Sequence, residues 1–119
     1  MARLEDKEEQ DVVDWAEKHG WIAVKVNILG NVGYPDRIFI GPHGRTVWIE
    51  MKKRGQKPRK MQYYRMYTLA EREHTVGWFD NAEEAINFLV AASLPGEGDQ
   101  DDVVTSMRRS ISRSWLGKD

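Results

Sequence analysis

A chain of 119 residues is long enough for one domain with a core of its own and short for two. It is 40% apolar and 31% charged, an ordinary balance for a globular protein, and no apolar run approaches the roughly 18 residues of a membrane span. It has no cysteine, which excludes disulfides and thiolate metal sites, and its formal net charge of −1 excludes a uniformly basic surface. The stretch Met1 to Asp6 is acidic and holds no apolar signal core, so a cytoplasmic location is expected.

Residues 5–19 read as a helix in which Val12, Val13 and Ala16 form an apolar stripe with Trp15 at its edge. Lys18 and His19 suit its C-terminal dipole, and Gly20 suits the residue just past its end. Glu9 precedes Val12 and Val13 by three and four positions and so shares the stripe side. Trp21 to Ile28 alternates, with Ile22, Val24, Val26 and Ile28 on one face and Ala23, Lys25 and Asn27 on the other, which predicts a strand. Gly30 to Gly33 is a loop without dinucleotide-fingerprint spacing.

Asp36–Ile40 and Thr46–Lys52 then make a β-hairpin around a Pro42-His43-Gly44 turn. Arg54 to Pro58 is a turn, and Pro58 starts a helix running to about Glu73. Thr75–Phe79 is a further strand. Asn81 with Glu84, or Asp80 with Glu83, fits the start of a last helix striped by Ala82, Ala85, Ile86, Leu89 and Val90. The element order is α-β-β-β-α-β-α, an α/β sandwich with a small mixed sheet over residues 1–93. Residues 94–102 read as a linker of turn-formers and acids. The tail 103–119 carries Arg108, Arg109, Arg113, Trp115 and Leu116, and fits either a short docking helix or a free arm.

Side chains alternate along a strand, so Glu50 and Lys52 share a face while Ile49 and Met51 take the other. Asp36 begins the partner strand, within reach of Glu50. Two carboxylates beside a core strand are costly unless they share a cation, and carboxylate oxygens suit Mg²⁺ or Mn²⁺ together with phosphate and water. Charge is also unevenly distributed: Lys52 to Arg65 holds seven basic residues and no acid, leaving eleven basic against nineteen acidic elsewhere, a net of −8. Lys53, Arg54, Lys57, Arg59 and Lys60 therefore place a phosphate-attracting surface beside the acids. An ordinary hairpin with solvated charges explains any one of these features alone. His19, His43 and His74 show no zinc-protease spacing, and neither a nucleophile elbow nor a P-loop is present.

Gly33-x-Pro35-Asp36-Arg37, then Glu50-x-Lys52, a basic turn and Gln62 together resemble the virus-type replication-repair nuclease (VRR-NUC) domain of the PD-(D/E)xK nuclease superfamily, over roughly residues 5–92. Tyr34 departs from the small β-branched residue more usual there. The resemblance implies a restriction-endonuclease-like core and a Mg²⁺- or Mn²⁺-dependent endodeoxyribonuclease. Glu9, Asp36 and Glu50 would hold metal, with Glu5 and Glu8 as competitors for the helix-borne acid. The backbone carbonyl of Met51 would complete the shell, Lys52 would act on the attacking water, and Gln62 would assist. It further implies a homodimer acting on branched DNA, such as four-way junctions or flaps, in a bacterial or phage-infected cell. The same residues also fit a non-catalytic DNA-binding module or a sequence-specific restriction-type nuclease.

Overall fold

The hairpin built on Pro42–Gly44 forms the middle of the sheet. The computed structural model describes residues 4–94, with side chains from Lys7 onward; the expected linker and tail, and the side chain of Glu5, lie outside the described residues. Helix α1 (Leu4–Lys18) is followed by strands β1 (Ile22–Lys25), β2 (Arg37–Ile40) and β3 (Thr46–Met51), helix α2 (Lys60–Glu71), strand β4 (Thr75–Phe79) and helix α3 (Ala82–Ser93). This is the expected α-β-β-β-α-β-α order.

The four strands lie in the order β1-β2-β3-β4, antiparallel except for the parallel pair β3–β4, which α2 connects. Alternation along β3 divides the molecule. Val47, Ile49 and Met51 pack with Val12, Ala16, Phe39, Ala85 and Leu89 into a core beneath α1 and α3. Trp48 faces the other way, toward α2, where it packs with Met66, Ala70, Val76 and Trp78. Asn81 caps α3 by accepting the Glu84 amide at 2.9 Å, which resolves the choice between Asn81 and Asp80.

Strand β1 differs from its expected form. It ends at Lys25 rather than Ile28, although the Val26 amide still donates to the Asp36 carbonyl at 2.8 Å. Its half-buried residue is Ala23, which packs on the core, while Ile22 and Val24 stand exposed. Helix α2 is also shorter than expected, beginning at Lys60 with Pro58 outside it.

The loop before β2 is pinned to α2 by a close approach at Gly33. Its φ is +97°, and a Cβ there would lie 2.7 Å from Met61 Cγ and 2.9 Å from the Met61 carbonyl oxygen. Arg65 adds a hydrogen bond to the Val32 carbonyl at 2.9 Å and lies 4.7 Å from the Tyr34 ring centre. Gly33→Ala is therefore expected to destabilise the domain by about 1–3 kcal/mol, combining left-handed strain with overlap against backbone. Thermal melting measures this, and a Tm equal to wild type would contradict the packing described.

Candidate active site

Strand register carries the two acids to one point. Ile38 pairs with Trp48 and Arg37 with Ile49, so one step further Asp36 stands opposite Glu50 on the α2 side of the sheet. Arg37, one residue on, necessarily points to the opposite side, toward α1. Asp36, Glu50, Lys52, Arg59 and Gln62 line a single cleft of about 450 Å³, closed on one side by the loop carrying Asn31 and Tyr34.

The cleft holds Glu50 in an environment hostile to its charge. Its residue is only 8% exposed, and burial, then the neighbouring Asp36 charge, push its pKa up to about 7; Lys52 and the Asp36 backbone amide pull the other way. Asp36 is likewise raised above the usual carboxylate range, by burial and then by the Glu9 charge, against Lys25 and Arg37. Lys25 Nζ approaches Asp36 only to 4.0 Å and is well exposed, so this pair adds little.

Gln62 organises the rest. Its side-chain nitrogen donates to Glu50 Oε2 at 3.2 Å, while its Oε1 accepts from Lys52 Nζ at 3.3 Å and from the Arg59 amide at 2.8 Å. The reverse amide orientation would set oxygen against carboxylate and NH₂ against two donors, so the partners fix this one.

Glu9 sits apart from this group. Its carboxylate is gripped by Arg37, through Nε at 2.9 Å and a terminal nitrogen at 2.8 Å, with both side chains about 15% exposed. It does not line the cleft, although its charge raises both Asp36 and Glu50. Among the described residues no group of three or more His, Cys, Asp or Glu side chains is placed to hold a metal ion. Met51 puts its side chain in the core, so only its backbone can serve the cleft.

The donors present still fit a hard divalent cation. The acids lining the cleft are two adjacent carboxylates with no imidazole or thiolate among the lining groups, and each raises the pKa of the other or is raised by a neighbouring acid. Mg²⁺ typically takes one or two carboxylates and completes its shell with water and phosphate oxygens.

Glu8, the competitor to Glu9, has a different task. Its two oxygens accept the Ala82 amide at 2.7 Å and Arg54 at 3.0 Å, which lowers its pKa, the Ala82 bond being the larger cause. Asp80 meanwhile accepts the Gly55 amide at 2.9 Å, its pKa lowered chiefly by that bond. Together they tie the basic turn to α1 and α3. Arg54 is thus engaged by an acid, Lys53 is half-buried, and Lys57, Arg59 and Lys60 are exposed. Arg37, Glu8 and Asp80 were not singled out for these contacts in the sequence, although alternation alone places Arg37 opposite Asp36.

No family model matches the chain. A solved structure described as "VRR_NUC domain" superposes with a TM-score of 0.71 at 21% identity, over 78% of this chain and all of that one. A second, "VRR_NUC domain protein", gives 0.62 at 19% identity over 76% of this chain and 88% of that one. The fold is that of the VRR-NUC domain, as the resemblance implied, with its restriction-endonuclease-like mixed sheet and three flanking helices. In sequence the chain is 38% identical over 58 residues to "Putative nuclease p44" of Acyrthosiphon pisum secondary endosymbiont phage 1. That match spans 49% of this chain and 62% of the phage protein. Among the described residues no helix is long and apolar enough to cross a membrane.

A carboxyl with a higher pKa folded than unfolded favours the folded state fully only below its unfolded pKa. For Glu50 that contribution is complete below about pH 4.5 and lost as pH rises past about 7. Glu50→Gln should therefore stabilise the metal-free protein progressively between pH 5 and pH 8, by about 3 kcal/mol at most. Paired thermal melts across that range measure it, and a gap that is constant with pH would contradict it.

Proposed function

We propose that this protein is a metal-dependent, structure-selective endonuclease that hydrolyses phosphodiester bonds in branched DNA, such as four-way junctions or flaps. The observation that supports this most is the opposed pair Asp36 and Glu50 in a cleft whose Lys52 is held by Gln62. Residues that repel one another in a cleft are arranged for a ligand that neutralises them. The phage protein's name and the fold of the two solved structures support the nuclease part of this reading.

Asp36 and Glu50, with the Met51 carbonyl, would hold Mg²⁺ or Mn²⁺. When bound, that ion neutralises charge on the scissile phosphate and acidifies water. Lys52 then orients the attacking water or stabilises the phosphorane-like charge, and Gln62 keeps the ammonium aimed. Glu9 contributes through its charge, or through water, from its place beside Arg37. Lys53, Arg54, Lys57, Arg59 and Lys60 provide backbone affinity without sequence information, directly where exposed and through the clamped turn where engaged. A homodimer would offer two such clefts to the two strands of a junction, in the cytoplasm of a bacterial or phage-infected cell.

A non-catalytic DNA-binding module is the second reading, favoured by one observation: Arg37 holds Glu9, so that only two acids face the cleft. Incubation with linear, flapped and four-way DNA separates the two. With Mg²⁺ or Mn²⁺ the protein should cut branched DNA in preference to linear, with chelator it should not, and Asp36→Asn or Lys52→Ala should lower the rate at least about 100-fold while leaving the fold intact. Binding without cutting by the wild-type protein would establish the second reading. Cutting at one base motif regardless of branching would instead indicate a restriction-type enzyme.

Affinity should also depend on salt in a residue-specific way. Lys57→Ala, Arg59→Ala and Lys60→Ala are each expected to reduce the slope of log affinity against log salt by about 1. Titrations of a flapped duplex at several salt concentrations would show this, and unchanged slopes would remove the segment from the interface.

A further inference from the structure

The α2 side of the sheet is covered over only half its width. Helix α2 packs on Trp48, Val76 and Trp78 of β3 and β4. On β1 and β2 the residues facing the same way are Ile22 at 61% exposure, Ile40 at 43% and Val24 at 37%. They form one apolar block, because Ile22 pairs with Ile40 across the ladder and Val24 with Ile38. A contiguous row of this kind on an edge strand normally has something lying on it.

The end of the described chain points to what that is. Arg45 binds the carbonyls of Ala92 and Leu94 at 2.6 and 3.0 Å, so α3 finishes against the β2–β3 turn. Ile40 stands opposite Thr46 and Ile22 opposite Ile40, so the chain leaves α3 at the same end of the sheet as the block, two strands away. Two strand spacings are about 10 Å, and the eight residues 95–102 reach up to about 26 Å, enough to round the end of the sheet. Beyond them Val103, Val104, Met107, Ile111 and Trp115 recur at helical spacing on one face. Ser106, Arg109 and Arg113 fall on the other. Thirteen such residues as a helix run about 20 Å, against about 13 Å for the apolar row from Ile22 to Val26.

We propose that residues 103–115 of this chain dock as an amphipathic helix on the exposed Ile22–Val24–Ile40 surface, completing the α2 layer of the sandwich. The contact makes the tail a part of the domain, on the face that also carries the cleft. It requires neither a partner nor the catalytic reading above.

The chain has no cysteine, so introduced pairs can report the contact cleanly. In the full-length protein, Val24→Cys would be combined with Met107→Cys or with Ile111→Cys and oxidised with copper phenanthroline. Glu83→Cys, exposed on α3 in the opposite layer, would be the control partner. Docking predicts an intramolecular disulfide in the monomer, formed at least about tenfold faster than in the control and at a rate independent of protein concentration. Rates equal to the control would overturn the proposal. So would disulfide-linked dimers, which would give the face to a second copy. A second measurement does not depend on crosslink geometry: maleimide labelling of Val24→Cys alone should accelerate several-fold when Ile111→Asp and Trp115→Asp are added. An unchanged labelling rate, with the fold verified by circular dichroism, would also refute it.

Discussion

Two like charges set face to face across a β-ladder are a destabilising arrangement, and the site rests on one. Asp36 meets Glu50 where β2 opens and β3 ends, and Glu50 is buried by the parallel strand β4 and by α2 as well. A pair of apolar residues there would pack without penalty. The molecule instead surrounds the acids with compensations: the Asp36 amide toward Glu50, Lys52 on the same strand face, and the Gln62 amide between them. These reduce the repulsion without removing it, since Glu50 still titrates near neutrality. Carboxylates perturbed in this way by burial and by each other mark the cleft as the candidate functional site.

The sheet carries its cleft acids on the α2 face and its larger core on the other. Consecutive residues take opposite duties: Asp36 enters the cleft while Arg37 turns to α1 and binds Glu9, and Glu50 enters it while Ile49 and Met51 complete the main core. The link between the two faces runs around the strand ends. There Glu8 joins α1 to both Arg54 and the start of α3, and Asp80 holds the Gly55 amide. The basic turn is thereby tied to both α1 and the start of α3.

How much of this was legible in the sequence varied with the physics behind each signal. The hairpin, the strand alternation that joins Glu50 to Lys52, and the stripe of α3 were all readable, because a period of 2 or 3.6 reports directly on faces. The orientation of β1 was not. Ile22 and Val24 look like an inward face by hydropathy, yet small Ala23 is the residue that packs on the core, and no local pattern reveals which side a neighbouring helix covers. Glu9 was rightly placed on the stripe side of α1, but its grip on Arg37 depends on a contact 28 residues away that spacing cannot encode. Gln62 entered through a resemblance; in the sequence alone it is one polar residue on a helix of indistinct faces.

Gln62 also shows why the cleft and the fold cannot be separated here. One oxygen, Oε1, accepts the backbone amide that opens α2 and the ammonium of Lys52. The helix start therefore sets the ammonium's position, and the same amide's nitrogen steadies the buried carboxylate. A glutamate at this position could still accept both donors, but it would set a third negative charge against Glu50 and Asp36, whose mutual repulsion is already high. A leucine would leave the Arg59 amide and Lys52 without that acceptor. Only a neutral side chain with both a donor and an acceptor meets all three neighbours. The amide at residue 62 thus follows from the charge already present, and it ties the opening turn of α2 to the geometry of the cleft.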